Sequence, residues 1–150
     1  SVQTWYDSQR ELLRTQNGFM VGLTGVKNYI SNTQYTWAEP NQQGVQLPTG
    51  KTYSQPDQQI FNKTVALQFA PIPQAQVNTK NSVLRKRLVE ATKNEKQTLL
   101  WFQEIPQADS DIPYSLHAFT STGSPVYGSQ CLTSATCIEW LYRSNPVPKP

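Results

Sequence analysis

A chain of 150 residues with a net charge of +3, 37% hydrophobic and 15% charged residues, has the length of one domain and far fewer charges than the ~25% usual in soluble proteins. Four Trp, seven Tyr and five Phe exclude disorder, and the charge is too mild to imply nucleic acid. Apolar runs of at most four or five residues leave no membrane-spanning helix. One His and two Cys are too few ligands for most zinc or iron–sulfur centres, so no metal or cofactor is expected. Polarity comes instead from 17 Gln and 9 Asn. The chain begins at Ser1 with no initiator Met and no signal peptide, which fits either a processed secreted chain or a piece trimmed from a longer one.

In chain order, Trp5, Leu12, Phe19, Leu23, Val26 and Ile30 recur at roughly helical spacing. Gly18, Gly22 and Gly25 interrupt the pattern, at a cost of ~1 kcal/mol each in a helix interior. A strand over residues 18–26 is therefore predicted, followed by another at Thr33–Trp37. Residues 38–59, with three prolines, two glycines and no periodicity, read as a loop. Val65–Phe69 is a strand closed by Pro71 and Pro73. Val83–Val89 fits either a helix face or an alternating strand. Thr98–Ile105 is the strongest strand, ended by Pro106. Tyr114–Thr120 and Thr136–Tyr142 complete the set, and Asn145–Pro150 is a Pro-rich tail. About seven short strands with frequent turn signals predict an all-β sandwich or Greek-key fold. Trp37, Leu99 or Leu100, Trp101 and Ile138 are expected in one core, with Phe102, Trp140 and Tyr142 also packed inside.

Cys131 and Cys137 form a C-x5-C pair that matches neither a common metal motif nor a C-x-x-C redox pair. It reads as one disulfide in an oxidising compartment, with two inert thiols as the alternative. A strand rises ~3.3 Å per residue, and a disulfide needs Cα atoms roughly 4.4–6.8 Å apart. A bond would therefore turn Leu132–Thr136 into a loop and leave no continuous strand through it. Asn62-Lys63-Thr64 is a formal glycosylation sequon. His117 has Ser115, Asp109 and Asp111 as catalytic neighbours by type only and reads as a half-exposed strand residue. Lys80, Arg85, Lys86, Arg87, Lys93 and Lys96 form a basic cluster countered only by Glu90 and Glu95. Its ordinary reading is a solvated face, its sharper one a surface for an anionic partner.

Several segments together resemble one family: Asp7-Ser8-Gln9-Arg10-Glu11-Leu12, Lys27-Asn28, Tyr35-Thr36-Trp37, Phe69-Ala70-Pro71, Leu84-Arg85, Gln97 to Pro106, and Thr136 to Arg143. In order and approximate spacing they are similar to the N-terminal immunoglobulin-like domain of PapD-like periplasmic pilus chaperones; Trp101-Phe102-Gln103-Glu104-Ile105-Pro106 resembles that family's F strand. The resemblance implies one immunoglobulin-like antiparallel sandwich over residues 1–144, with 145–150 as tail or linker. It implies a non-enzymatic periplasmic chaperone that binds pilus or fimbrial subunits by β-strand addition. Its basic pair anchors the subunit's C-terminal carboxylate. Arg10 matches the Arg of that pair, whereas the Lys position falls on Glu139, of opposite sign. Gln130–Ala135 corresponds to the donor segment, with Leu132 its only large apolar side chain.

Arg10, Leu132 and Glu139 are thus the candidate partner-binding residues and Cys131 and Cys137 the candidate disulfide; no catalytic or metal residue is assigned. Two other functions fit the composition. One is a structural minor pilin or surface-fibre subunit, α+β, with an N-terminal helix over about residues 5–32 packed on an antiparallel sheet. The other is a secreted glycan- or protein-binding module used in adhesion. All three place the chain outside the cytoplasm.

Overall fold

The computed structural model describes residues 2–6, 12–25, 32–41, 43–105, 115–132 and 136–142. Among them are eleven strands: β1 (Val2–Tyr6), β2 (Leu12–Gln16), β3 (Phe19–Thr24), β4 (Asn32–Trp37), β5 (Pro48–Gln55), β6 (Ile60–Ala66), β7 (Phe69–Ile72), β8 (Leu100–Glu104), β9 (Leu116–Phe119), β10 (Pro125–Cys131) and β11 (Cys137–Leu141), with one helix, α1 (Val83–Asn94). Every pairing is antiparallel. The strands form a three-stranded sheet β1–β2–β3, another β4–β5–β6, and a five-stranded sheet in the order β11–β10–β9–β8–β7. No described helix is long and apolar enough to cross a membrane.

Short-range chemistry accounts for the joints. Asn17 and Gly18, with φ of 53° and 92°, turn β2 into β3; two positive-φ residues are what a tight right-twisted hairpin requires. Gly18 is therefore turn rather than strand, and the described part of residues 8–30 is strand, not a continuous helix. Gly123, at φ 92°, sits in the β9–β10 turn, closed by Thr120 N–H bonding Ser124 O at 2.8 Å.

The five-stranded sheet is covered on both faces, and its registers show how. Trp101, Ala118, Tyr127 and Leu141 are successive cross-strand partners and share one face with Ile72, where Leu84, Leu88 and Val89 of α1 cover them. The next row, Phe102, His117, Gly128 and Trp140, faces the other way. There Trp140 packs with Leu13, Met20, Leu23 and Leu132, while Phe102 packs with Phe19, Val45 and Phe119, flanked by Tyr35 and Trp37. The result is a mainly antiparallel β arrangement consistent with a sandwich, with one helix outside it.

Further sequence expectations change: Val65–Phe69 is divided between the end of β6 and the start of β7, and Pro71 lies within β7 rather than closing a strand. Residues 38–59 are not all loop: β5 is the central strand of its sheet, held by ladders to both neighbours rather than by apolar alternation, with Pro48 at its first position, where a missing N–H is tolerated. Val83–Val89 is helical. Ser82 caps it by accepting a 3.0 Å bond from Arg85 N–H, and its apolar stripe meets the Trp101 row. The expected single core is divided by the sheet: Leu99 and Trp101 lie on the helix side, Trp37 and Leu100 on the other, and Ile138 in a third cluster.

Candidate functional site

Among the described strands, β11 pairs only with β10 and is an edge of the five-stranded sheet. Leu132 N–H bonds Thr136 O at 2.8 Å, and Tyr142 N–H bonds Val126 O at 2.9 Å. With the register Gln130↔Ile138 and Gly128↔Trp140, these bonds assign the even-numbered residues of β11 to the ladder. The alternation of antiparallel pairing then turns the main-chain N–H and C=O of Cys137, Glu139 and Leu141 away from β10. No described strand occupies that side.

Cys131 and Cys137 are bonded directly across the hairpin, with Cα atoms 3.9 Å apart, at one of the close, non-hydrogen-bonded pairs of the ladder. The bond resolves the fork posed by their spacing: the chain reverses between them. No continuous donor strand runs through Gln130–Ala135: β10 ends at Cys131, and Leu132 pairs back with Thr136 across the hairpin. The disulfide marks an oxidising, extracytoplasmic setting.

Beside this edge, on the helix side of the sheet, lies an open groove of about 420 Å³. Leu116, Ile72 and Val77 contribute apolar surface; Gln103, Asn78 and Ser129 contribute polar surface. Arg85 and Glu139 also line it within one network. Glu139 Oε2 accepts bonds from Ser82 Oγ at 2.6 Å and Tyr127 Oη at 2.7 Å. Arg85 donates from Nη1 to Tyr127 Oη at 2.9 Å and from Nε to Asn78 O at 2.9 Å, and its Nη1 is 3.9 Å from Glu139 Oε2. Burial, with the hydrogen bond to Glu139 next, pushes the Tyr127 hydroxyl up to about 12, so it remains a donor at neutral pH. The network ties the start of α1 to the edge hairpin.

Of the residues singled out in the sequence, Glu139 stands on the free edge and its cation is Arg85. Arg10 lies outside the described residues. Leu132 is 4% exposed and packed against Leu13, Met20, Leu23 and Trp140; its apolar surface is spent inside the domain. Sequence reasoning missed Ser82 and Tyr127 as site residues and placed Arg85 only in the basic cluster. Ser82, an N-cap residue three positions before Arg85, was the one local signal.

His117 is not half-exposed: it is 1% exposed because the rings of Phe19, Phe69 and Trp140 pack around it. Its ring centroid is 4.1 Å from that of Phe19 and 6.2 Å from that of Trp140, and neither ring nitrogen has a hydrogen-bond partner. Burial pushes its pKa down to about 3, against a smaller upward pull from the Gly18 backbone. Ser115 Oγ is committed to Glu104 Oε2 at 3.0 Å, while Asp109 and Asp111 lie outside the described residues. Among the described residues, no three His, Cys, Asp or Glu side chains group as metal ligands.

Against known proteins, the chain matches no family model, no curated protein and no solved structure.

Proposed function

We propose that this is a non-enzymatic, extracytoplasmic binding domain that takes an extended segment of a protein partner along the free edge of β11. Main-chain hydrogen bonds supply affinity in this mode and pockets for alternate side chains supply selectivity. The outward main-chain groups of Cys137, Glu139 and Leu141 carry the reading, and the groove beside them offers room for alternate side chains. The partner class implied by the family resemblance is a pilus or fibre subunit in the periplasm. That role rests on the free edge and does not depend on the immunoglobulin-like topology the resemblance implies. The donor side chain expected of a pilus chaperone, Leu132, is buried, so here the partner's side chains would enter this domain's groove rather than the reverse.

A second reading, a structural fibre subunit, is favoured by one observation: the disulfide straps the β10–β11 turn near the end of the described chain. Hydrogen exchange on the protein mixed with fibre subunits from its own extracytoplasmic fraction separates the two. Strand addition slows exchange of the Cys137, Glu139 and Leu141 amides. A bound subunit that leaves those three amides exchanging as in the free protein overturns the proposal.

A further inference from the structure

The charge of the chain is concentrated in one place. Residues 78–97 hold six of the 13 Lys and Arg but only two of the 10 Asp and Glu, a net +4. The remainder carries seven basic and eight acidic residues, a net −1. Of the six cations, Arg85 is turned inward to Tyr127 and Glu139. The other five, Lys80, Lys86, Arg87, Lys93 and Lys96, are exposed, and no described carboxylate lies within 4.0 Å of any of them.

The scaffold beneath these cations is fixed at both ends of the helix. Ser82 bonds Glu139 at the start, and Gln74 Nε2 donates to Thr92 Oγ1 at 3.3 Å near the end. A positive surface held on a pinned helix presents its charges without first having to order them. It also concentrates anions around itself.

The chemistry of the segment narrows the anion. It contains no Phe, Tyr or Trp, so it offers no platform for stacking bases. The outer side of α1 carries a single exposed large apolar residue, Val83 at 65%, too little to embed in a lipid surface, which requires a continuous apolar face. Exposed amides stand among the cations instead: Asn78, Asn81, Asn94 and Gln97. Amides both donate and accept, which suits hydroxyl groups, while Lys and Arg take carboxylate or sulfate. We infer that the outer face of α1 with its flanking turns binds an acidic polysaccharide. The surface meets the groove beside β11 at Asn78 and Asn81, but its five exposed cations lie outside that groove and the inference does not depend on strand addition.

Affinity chromatography and titration test it, with heparin and polygalacturonate as acidic polysaccharides, dextran as a neutral one, polyglutamate as an acidic polypeptide and phosphatidylglycerol-rich vesicles as an anionic membrane. Both acidic polysaccharides are expected to retain the protein at low salt and release it as salt rises, since exposed charges are screened within ~8–10 Å at ordinary ionic strength. Replacing three of the exposed cations, in Lys86→Gln/Arg87→Gln/Lys93→Gln, should weaken binding about tenfold or more. The variant Phe61→Glu/Lys63→Glu loses the same three units of charge on exposed β6, and its binding should change by less than about twofold if the patch rather than net charge is responsible. Unchanged thermal unfolding verifies the fold of both variants. Three results would overturn the inference: no retention on either acidic polysaccharide, equal loss in the two variants, or tighter binding to polyglutamate or the vesicles.

Discussion

The indole of Trp140 lies directly over Gly128, its cross-strand partner in the β10–β11 ladder. A Cβ built on Gly128 would collide with the Trp140 ring. Trp140 also packs beside the buried His117, at 6.2 Å between ring centroids. One missing side chain on β10 thus lets the edge hairpin close over the core.

Gly128→Ala should therefore be destabilising, by about 1–3 kcal/mol as for other overpacked sites. Urea unfolding followed by Trp fluorescence measures it. A change below about 0.5 kcal/mol would mean the indole moves aside freely.

Glu139 and Tyr127 should act as a unit. Tyr127→Phe removes a hydrogen bond to a carboxylate, worth about 1.5–3 kcal/mol, and leaves Arg85 without its hydroxyl partner. Combined with Glu139→Gln in a double-mutant cycle, the losses should fall short of additivity by at least about 0.5 kcal/mol. Additive losses would show that the two side chains meet without coupling. Glu139→Lys, which the resemblance to pilus chaperones suggests as a repaired anchor, should destabilise the hairpin because it sets a cation against Arg85.

Stability should fall on acidification through His117. Its pKa is about 3 in the folded protein against about 6.5 when exposed, so below about pH 6.5 the unfolded chain binds a proton that the folded one excludes. The sign is destabilisation as pH drops, at up to about 1.4 kcal/mol per unit. It levels off below about pH 3, and this contribution is flat above neutrality. His117→Leu should flatten the slope between pH 6.5 and 4 in denaturant titrations. An unchanged slope would assign it to carboxylates instead.

The disulfide closes a short loop, for which the unfolded-state entropy effect is about 2–3 kcal/mol. Reduction should lower the free energy of unfolding by that amount while leaving the far-UV spectrum intact, since β10 and β11 are also joined by their ladder. Collapse of the β signal on reduction would show that the bond, not the ladder, holds the hairpin.

Trp101, 1% exposed, should cost about 3–5 kcal/mol when cut to Ala. A loss under about 1 kcal/mol would place it at the surface.

Much of the strand content was legible locally. Leu100, Trp101 and Phe102 are apolar on consecutive positions because β8 is an interior strand covered on both faces there. Leu116 and Ala118 alternate as expected because both lie on the helix side. The amphipathic ambiguity of Val83–Val89 was real: Leu84 and Leu88 serve a helix face, and Ser82 decided between the alternatives by capping. β10 was invisible. Pro125, Gly128 and three small or polar residues look like a turn, and they form a strand because α1 covers one face and Trp140 the other.

The sequence by itself determined the antiparallel β character, the interior strand around Trp101 and the pairing available to Cys131 and Cys137. Those follow from backbone sterics, side-chain alternation and the reach of a short loop, all of which act between near neighbours. Only the tertiary structure decided that the five-stranded sheet has no wet face, that His117 is sealed inside it and that Leu132 belongs to the domain's own core. Only it paired Glu139 with Ser82 and Tyr127, 57 and 12 residues away. Burial and charge pairing depend on which distant elements arrive to cover a residue, and no local pattern records that arrival.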